Sequence, residues 1–440
     1  MVGASLLLAI ALVEVSSRID DEALARIPRL FGAGAAGSRD MLSTIAGSVI
    51  TVAGVTFSIT IAALALASGQ YTPRVLRTFM GDRANQVVLG TFVGVYSYCL
   101  VVLRTIRGGD EGTFIPSIAV LAGFLLALVS VGVLVFFIHH IASALQVSTI
   151  LDRVRHATKR AIDDLFPDAV GDAVDEESEL ALSAQAGADT VWAAITARRT
   201  GYLQSVDAGG LLEFSRDHRV IVQMERAVGD FVTVGIPLVS VARSSDLDTG
   251  HAFLPRGVPE DVAVTANSLF TINAHRTVEQ DAAFGFLQIS DIALKALSPG
   301  INDTTTAVSC VDHLGALLAC VAQRRIAPRA RGEGSDLRVI ARGPTFADLV
   351  SLALDDIRRN AKGNVTVLAR LFDAIETTSR FARNPGRRRA LDAQVDLLVE
   401  VVERTVEAPS DQAMLKGRAL AARALLATAP DSPNTGNPLQ

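Results

Sequence analysis

The chain has 440 residues, of which 50% are hydrophobic and 20% charged, and its formal net charge is −5. This length is enough for a membrane module with one or two soluble domains. The basic residues are scattered among acidic ones and form no stripe, which argues against a nucleic-acid-binding protein, and three cysteines are too few for a disulfide framework.

The N-terminal segment predicts a partial first helix near residues 2–17. Residues 2–13 are apolar or small, but Glu14 ends this run well short of the ~20 residues that a membrane-spanning helix needs. The first five residues contain no Lys or Arg, so the segment lacks the basic start of a signal peptide. We therefore expect a truncated or interfacial helix here.

Three long uncharged runs follow, at residues 41–73, 84–103 and 113–138. Each is at least as long as a bilayer-spanning helix requires, and they predict spans near 41–68, 85–103 and 114–138. Together with the first helix they define a transmembrane module over residues 1–150. The predicted spans contain no Asp, Glu, Lys or Arg, which argues against a proton- or charge-coupled transporter.

The first of these spans carries small and hydroxyl residues on one face, because they recur at alternating spacings of three and four. A face of this kind favours close helix–helix packing. It is also compatible with a pore lining that offers hydroxyls to water or ions, although Ser and Thr can return their hydroxyls to the carbonyl four residues earlier. The candidate residues are Thr44, Gly47, Ser48, Thr51, Gly54 and Ser58, with the GxxxG pair Gly90 and Gly94 in the next span.

A short basic connector joins these two spans and contains Arg74, Arg77, Asp82 and Arg83. It is interpreted as a topology signal with lipid-headgroup contacts or, in an oligomer, as a ring of charge at a pore mouth. Lys and Arg are almost equally divided between the two sides, so their distribution does not set the orientation. The unpaired thiols favour a cytoplasmic C-terminal domain, and hence a multi-pass protein of the bacterial inner membrane.

The rest of the chain reads as a soluble α+β domain that is mostly helical with a small antiparallel β element. Residues 151–200 predict a helix followed by an acidic linker, and residues 201–260 contain short β-branched runs with Gly turns that are typical of a small barrel or sandwich. Residues 261–430 predict successive helices separated by Gly, Asn or Pro. The tail at 431–440 is expected to be disordered.

The densest polar group of the soluble part lies between residues 275 and 313. Paired carboxylates beside a histidine can serve acid–base catalysis or hold a metal, but no spacing here matches a known zinc, phosphate-loop or nucleophile motif. We therefore favour a structural role, with Lys295 and Asp291 as an i,i+4 pair, and keep a ligand site and then catalysis as alternatives; no metal, cofactor or specific catalytic residue is assigned. The residues of the candidate ligand site are His275, Arg276, Glu279, Asp291, Asn302, Asp303 and His313, of which Asn302 and Asp303 also suit a helix N-terminus.

Several segments resemble DUF2254, a family of bacterial membrane proteins without an assigned function. The matching segments are FSIT (57–60), TPR (72–74), VVLGTFVG (87–94), LVVLRT (100–105), FFIHHIA (136–142), GYLQSVD (201–207), GDFVTVGIPL (229–238) and DIALKALSPGIND (291–303). The resemblance implies four membrane helices and a soluble C-terminal domain, and it supplies no catalytic residue. Two departures are Thr304 in place of the family's usual Pro after Asn-Asp, and a first helix that looks shortened.

Three functions remain open at this stage. The first is a homo-oligomeric ion channel or pore gated through its soluble domain. The second is a membrane-tethered sensory or scaffold protein without transport, and the third is a membrane-bound enzyme that uses the 275–313 polar group. The partners expected are the lipid bilayer and further copies of the chain, with no nucleic acid.

Overall fold

The computed structural model describes residues 1–18, 34–70, 83–107, 114–144, 146–166, 191–243, 257–324, 326, 330–333 and 336–428. The chain divides into two compact units, a membrane unit at residues 1–150 and a C-terminal unit at residues 151–440. The predicted acidic linker, the connector residues Arg74, Arg77 and Asp82, and the predicted disordered tail lie outside the described residues.

The membrane unit consists of four helices: α1 (Val2–Arg18), α2 (Ala35–Gln70), α3 (Arg83–Thr105) and α4 (Ser117–Ala144). Helices α2, α3 and α4 are long and apolar enough to cross a membrane, and they coincide with the three clear spans of the sequence. Helix α1 has 17 residues, slightly fewer than a bilayer core requires.

Helix α3 is the centre of this unit and packs against the other three helices. Large buried side chains fill the space between them, among them Phe92, Tyr98 and Phe137. The Tyr98 hydroxyl donates to the carbonyl of Ala119 at 2.8 Å, so the one polar atom of this buried ring is satisfied. Such pairing matters because an unpaired polar group costs several kcal/mol in a hydrocarbon environment.

The outward surface of the membrane unit is apolar. Exposed large side chains on α2 and α4 include Ile50, Phe57, Leu125, Val131 and Val135. A water-soluble bundle would bury such a continuous set, whereas lipid chains are as apolar as leucine and leave no penalty for exposing it. The distribution is that of a protein surrounded by lipid.

The C-terminal unit contains two small sheets. A five-stranded sheet has the order β1-β5-β3-β8-β7, and a three-stranded antiparallel sheet has the order β4-β2-β6. All pairings are antiparallel except that of β3 with β8. The strands are β1 (Ala193–Thr196), β2 (Gly201–Val206), β3 (Val220–Met224), β4 (Phe231–Val232), β5 (Pro237–Arg243), β6 (Phe270–Asn273), β7 (Ala330–Glu333) and β8 (Asp336–Ile340).

The strands extend beyond the predicted β region at 201–260. Strand β1 precedes it and β6, β7 and β8 follow it, while helix α6 (Ala208–Asp217) interrupts it and helix α7 (Glu260–Ser268) begins at its end. Strand β1 has only four residues, Ala-Ala-Ile-Thr, which carry little intrinsic strand signal, and it is held by pairing with β5. Tertiary pairing rather than local propensity therefore sets these boundaries.

Seven further helices build the rest of the unit: α5 (Val147–Leu165), α8 (Ala282–Ala296), α9 (Thr304–Gln323), α10 (Phe346–Asn360), α11 (Val365–Ser379), α12 (Pro385–Thr405) and α13 (Pro409–Ala427). Helices α8 to α13 lie within the predicted helical region at 261–430, and the fold class is confirmed. Helix α9 is also apolar enough to cross a membrane, but it packs against α8, α10 and α11 and buries ten residues. Its apolarity therefore serves the core of this unit.

The C-terminal end of α9 is closed by Arg387 of α12. The Arg387 guanidinium donates to the carbonyls of Val321, Ala322 and Arg324 at 2.8–3.2 Å and lies over the ring of Phe346. The last carbonyls of a helix have no partner within the helix, so this side chain satisfies groups that would otherwise be orphaned.

Substituting Arg387 with alanine is expected to lower the free energy of unfolding by about 2 kcal/mol, because it leaves these carbonyls without their donor. Urea unfolding of the full chain in nanodiscs, followed by fluorescence of the single tryptophan, Trp192, measures the change. The matched control is Arg389→Ala, which removes an exposed arginine two residues away on the same helix. Equal effects of the two changes would contradict this role.

Candidate functional site

The small-residue face of α2, which comprises Thr44, Gly47, Ser48, Thr51, Gly54 and Ser58, is exposed along its whole length. The residues that α2 buries against the other helices lie on its opposite side and include Leu42, Ala46, Val49 and Ala53. Within the membrane unit, packing therefore uses the apolar side of α2. The small-residue face is left to lipid, to water or to another protein surface.

The hydroxyls on this face bond to the helix's own backbone. Thr44 donates to the carbonyl of Asp40, Ser48 to that of Thr44, Thr51 to that of Gly47 and Ser58 to that of Gly54, at 2.7–2.9 Å. Each donor hydrogen is thus satisfied four residues back, so the face can lie against an apolar neighbour without cost. The hydroxyl oxygens keep lone pairs that can accept from water or approach a cation.

The glycines distinguish this face from the packed one on α3. A Cβ atom at Gly47 or Gly54 would meet nothing within 4 Å, whereas one at Gly94 would lie 2.6 Å from Ser5 Oγ and one at Gly90 would lie 3.2 Å from Met1 Cβ. The GxxxG pair of α3 is therefore occupied by α1. The glycines of α2 offer the same kind of shallow surface with no neighbour on it.

The spacing on α2 matches the packing of two helices. Thr44, Thr51 and Ser58 are seven residues apart, and Gly47 and Gly54 are offset from them by three. A repeat of seven with this offset is the pattern of left-handed helix pairs, which cross at about 20°. Small residues at these positions let the two backbones approach closely.

Of the predicted basic connector, the structure describes Arg83, the first residue of α3, whose side chain is exposed. It begins a helix whose other end carries Arg104. Basic residues at both ends are typical of a helix anchored at two headgroup layers.

Apart from Asp291, the predicted polar group at 275–313 is divided among three places. His275, Arg276 and Glu279 precede α8, Asp291 lies within α8, Asn302 and Asp303 follow it, and His313 lies within α9. Helix α8 has 15 residues and is therefore about 22 Å long, so residues at its two ends lie too far apart to share one small binding site. The fold does not bring the set together into one site.

The first place is a buried ion pair at the start of α8. Arg276 Nε lies 2.5 Å from Asp281 Oδ2, and the same carboxylate accepts from the backbone N–H of Phe284 as the N-cap of α8. Burial raises the pKa of Asp281, while Arg276 and the Phe284 amide act in the opposite direction. Gly229 lies directly against this pair with φ +97°, so the Gly-Asp turn after β3 is packed onto it.

The second place is the turn between α8 and α9. Asn302 adopts a left-handed backbone with φ 47°, and Asp303 caps α9 by accepting from the backbone N–H of Thr306. Hydrogen bonds from Thr306 lower the pKa of Asp303. The sequence assigned both residues to the helix start, but only Asp303 is the cap, since Asn302 supplies the reversal that precedes it.

The third place is the contact of α9 with α5. His313 is half-buried and burial lowers its pKa, while the nearby charged groups that act on it include Asp152, Arg155 and His156 of α5. Its neighbour Asp312 pairs instead with Arg370 of α11. Among the described residues, no group of three or more His, Cys, Asp or Glu side chains is placed to hold a metal ion.

A model of the DUF2254 family, described as a predicted membrane protein, matches residues 1–377. The chain belongs to the DUF2254 family. An uncharacterised protein of Mycobacterium tuberculosis (strain CDC 1551 / Oshkosh) is 34% identical over 384 residues, which cover 87% of this chain and 71% of that protein. An uncharacterised protein of Mycobacterium bovis (strain ATCC BAA-935 / AF2122/97) is 33% identical over the same shares. No solved structure matches the chain.

In this DUF2254 protein, the close packing of α5 against α8 was not predicted from the sequence. An added Cβ at Gly285 of α8 would fall on the hydroxyl of Thr158 and lie 2.7 Å from the Cβ of that threonine, which is fully buried. Further along, Asp163 pairs with Arg324 at 2.7 Å. A lone glycine inside an apolar helical run was the available signal, because such a glycine commonly marks a close approach.

Proposed function

We propose that this DUF2254 protein is a homo-oligomeric membrane channel in which copies of the chain meet through the small-residue face of α2. The single observation that carries the proposal is the uncovered state of this face, whose spacing suits a partner helix and whose glycines have no neighbour. The membrane unit offers three full spans and a shorter helix, too few to enclose water and shield it from lipid. A conducting path therefore requires a ring of subunits.

The hydroxyls give the path its chemistry. In a ring, each α2 presents one edge of its small-residue face to the neighbouring subunit and the other to the central axis. Thr44, Thr51 and Ser58 then place hydroxyl oxygens at three levels, about 10 Å apart along the helix. Lone pairs at successive levels can replace part of the hydration shell of a cation.

Gating is assigned to the C-terminal unit through α5. Only residues 145 and 146 separate α4 from α5, and α5 is seated on α8 and α9 through Thr158 and Asp163. A change in the C-terminal unit that moves α5 is therefore passed to the end of a membrane span by a very short link. No ligand class is assigned to this step.

The test uses two double variants reconstituted in nanodiscs and liposomes. One carries two glycine-to-isoleucine changes, and the other carries two polar-to-leucine changes. Gly47→Ile with Gly54→Ile should convert a closed ring, measured as particle mass in nanodiscs, to smaller species, because the side chains block close approach. The monomer should remain folded, since nothing lies within 4 Å of either position. The matched control is Gly132→Ile on α4, which is also exposed with nothing within 4 Å.

Ion flux is the second readout of the same experiment. Thr51→Leu with Ser58→Leu should lower the flux per assembled ring into liposomes at least tenfold, with the particle mass measured on the same sample, and Val131→Leu on α4 should leave flux unchanged. A monomeric or dimeric wild type, or flux that survives both leucines, would contradict the channel.

A second candidate is a sensory or scaffold oligomer without transport. It is favoured by the hydrogen bonds from the α2 hydroxyls to their own backbone, which remove any need for water on this face. This candidate predicts the same loss of assembly in the isoleucine variant with no ion flux in the wild type. Mass and flux together therefore separate the two functions.

A further inference from the structure

The turn between β4 and β5 exposes large apolar side chains. Phe231 is 56% exposed, Val234 56% and Ile236 40%, although the flanking Val232 and Leu238 are buried in the core between the sheets. We call residues 231–236 the apolar turn. Apart from the edge-to-face contact of Phe231 with Tyr202, these side chains are not needed to fill the fold and are available for a contact outside it.

The apolar turn is held in a fixed shape. Gly235 adopts φ +85° and its N–H donates to the carbonyl of Ala197 at 3.0 Å, the N–H of Ile236 donates to Thr233 at 3.1 Å, and that of Val234 donates to the hydroxyl of Thr200 at 3.1 Å. A preformed turn loses little conformational entropy on binding. These bonds also fix its neighbour, the short turn at 197–200.

That neighbouring turn supplies positive charge. Across residues 197–200 and 231–236 the charged side chains are Arg198 and Arg199. Arg198 pairs with Glu260 of α7, whereas Arg199 is exposed and has no acidic partner among the described residues. The surface is therefore an apolar turn, directly preceded by Asp230, and edged by one cation, Arg199, that forms no ion pair with the described residues.

This combination suits a lipid surface better than a protein. The exposed area of the three side chains is on the order of 250 Å², well below the roughly 800 Å² per partner of a stable protein interface. Apolar side chains that enter the headgroup region and a basic residue near an anionic lipid phosphate both contribute to membrane binding. The chain is itself anchored in a bilayer, so its effective concentration at that surface is high.

We propose that the apolar turn inserts into the interfacial layer of the bilayer, with Arg199 on the phosphate of an anionic lipid. The proposal is independent of the α2 face, since neither its residues nor its test involve subunit assembly.

The test places a fluorophore on the apolar turn of the full chain. Val234→Cys is made in a Cys320→Ser background, in which the remaining thiols Cys99 and Cys310 are buried, and is labelled with an environment-sensitive dye. The protein is reconstituted in liposomes of phosphatidylcholine and phosphatidylglycerol that contain spin-labelled lipid. The matched control is Leu420→Cys, an exposed apolar site on α13.

Quenching by spin-labelled lipid should be at least threefold stronger at position 234 than at 420. It should fall by at least half when Arg199→Glu is added or when phosphatidylglycerol is omitted. Equal quenching at the two sites would overturn the proposal. A blue-shifted dye at position 234 that spin-labelled lipid does not quench would also overturn the proposal. If Val234→Cys then forms disulfides between chains, the turn contacts a second copy of the chain instead of lipid.

Discussion

Replacing Gly229 with alanine is expected to lower the free energy of unfolding of the C-terminal unit by about 4 kcal/mol. The backbone there has φ +97°, which costs a residue with a Cβ about 1–2 kcal/mol. The new methyl would also fall on the Asp281 carboxylate and lie 2.5 Å from Arg276 Nη2, so the buried pair would have to separate. Breaking a buried pair typically costs several kcal/mol. Urea unfolding followed by Trp192 fluorescence measures the change.

Gly235 provides a matched control for this substitution. It has a similar positive φ, +85°, but nothing lies within 4 Å of an added Cβ. Gly235→Ala should therefore show the backbone cost alone, about 1 kcal/mol. If both alanine variants lose the same stability, the ion pair at the start of α8 does not depend on the Gly-Asp turn, and the packing argument fails.

Replacing Gly285 with alanine is expected to lower the free energy of unfolding by about 3 kcal/mol and to displace α5 from α8. The added methyl would overlap the Thr158 side chain, which is fully buried and whose hydroxyl is already bonded to the carbonyl of Val154. Overpacking of a close helix contact usually costs about 1–3 kcal/mol, and here two helix backbones would have to move apart. The same unfolding measurement applies.

A rescue experiment separates a local clash from general damage. Thr158→Gly removes the overlapping atoms, so the double variant should recover at least about 1.5 kcal/mol relative to additivity. The control Gly300→Ala changes an exposed glycine with nothing within 4 Å and should be near neutral. Additive losses in the double variant would mean that α5 is not seated on Gly285.

Local signals in the sequence predicted much of this fold. The three spans followed from uncharged runs alone, and the last four helices followed from Gly, Asn and Pro punctuation, as in the capping of α11 by Asn364 and of α12 by Asn384 before Pro385. The strands at 201–206 and 220–224 also lie in the region where β-branched runs predicted them. In each case the information sits within a few neighbouring residues.

The candidate sites were less accessible because they depend on distant contacts. The polar group at 275–313 is dense in sequence, yet α8 carries its members to opposite ends of a 15-residue helix. The glycines of α2 and α3 look alike in sequence, and only packing shows that Gly94 is covered by Ser5 while Gly54 is open. Likewise, no residue near Gly285 in the sequence indicates that it contacts Thr158, which is over a hundred residues away.

The length of α2 sets up a sensitivity to the membrane itself. Its 36 residues extend about 54 Å, and those from Met41 onward carry no charge, whereas a bilayer core is about 30 Å thick. Hydrophobic mismatch of this size is relieved by tilting of the helix, and the tilt angle from the bilayer normal is smaller in a thicker bilayer. In the proposed ring, the crossing angle between neighbouring α2 helices would change with this tilt. Lipid chain length would then tune how tightly the subunits hold one another.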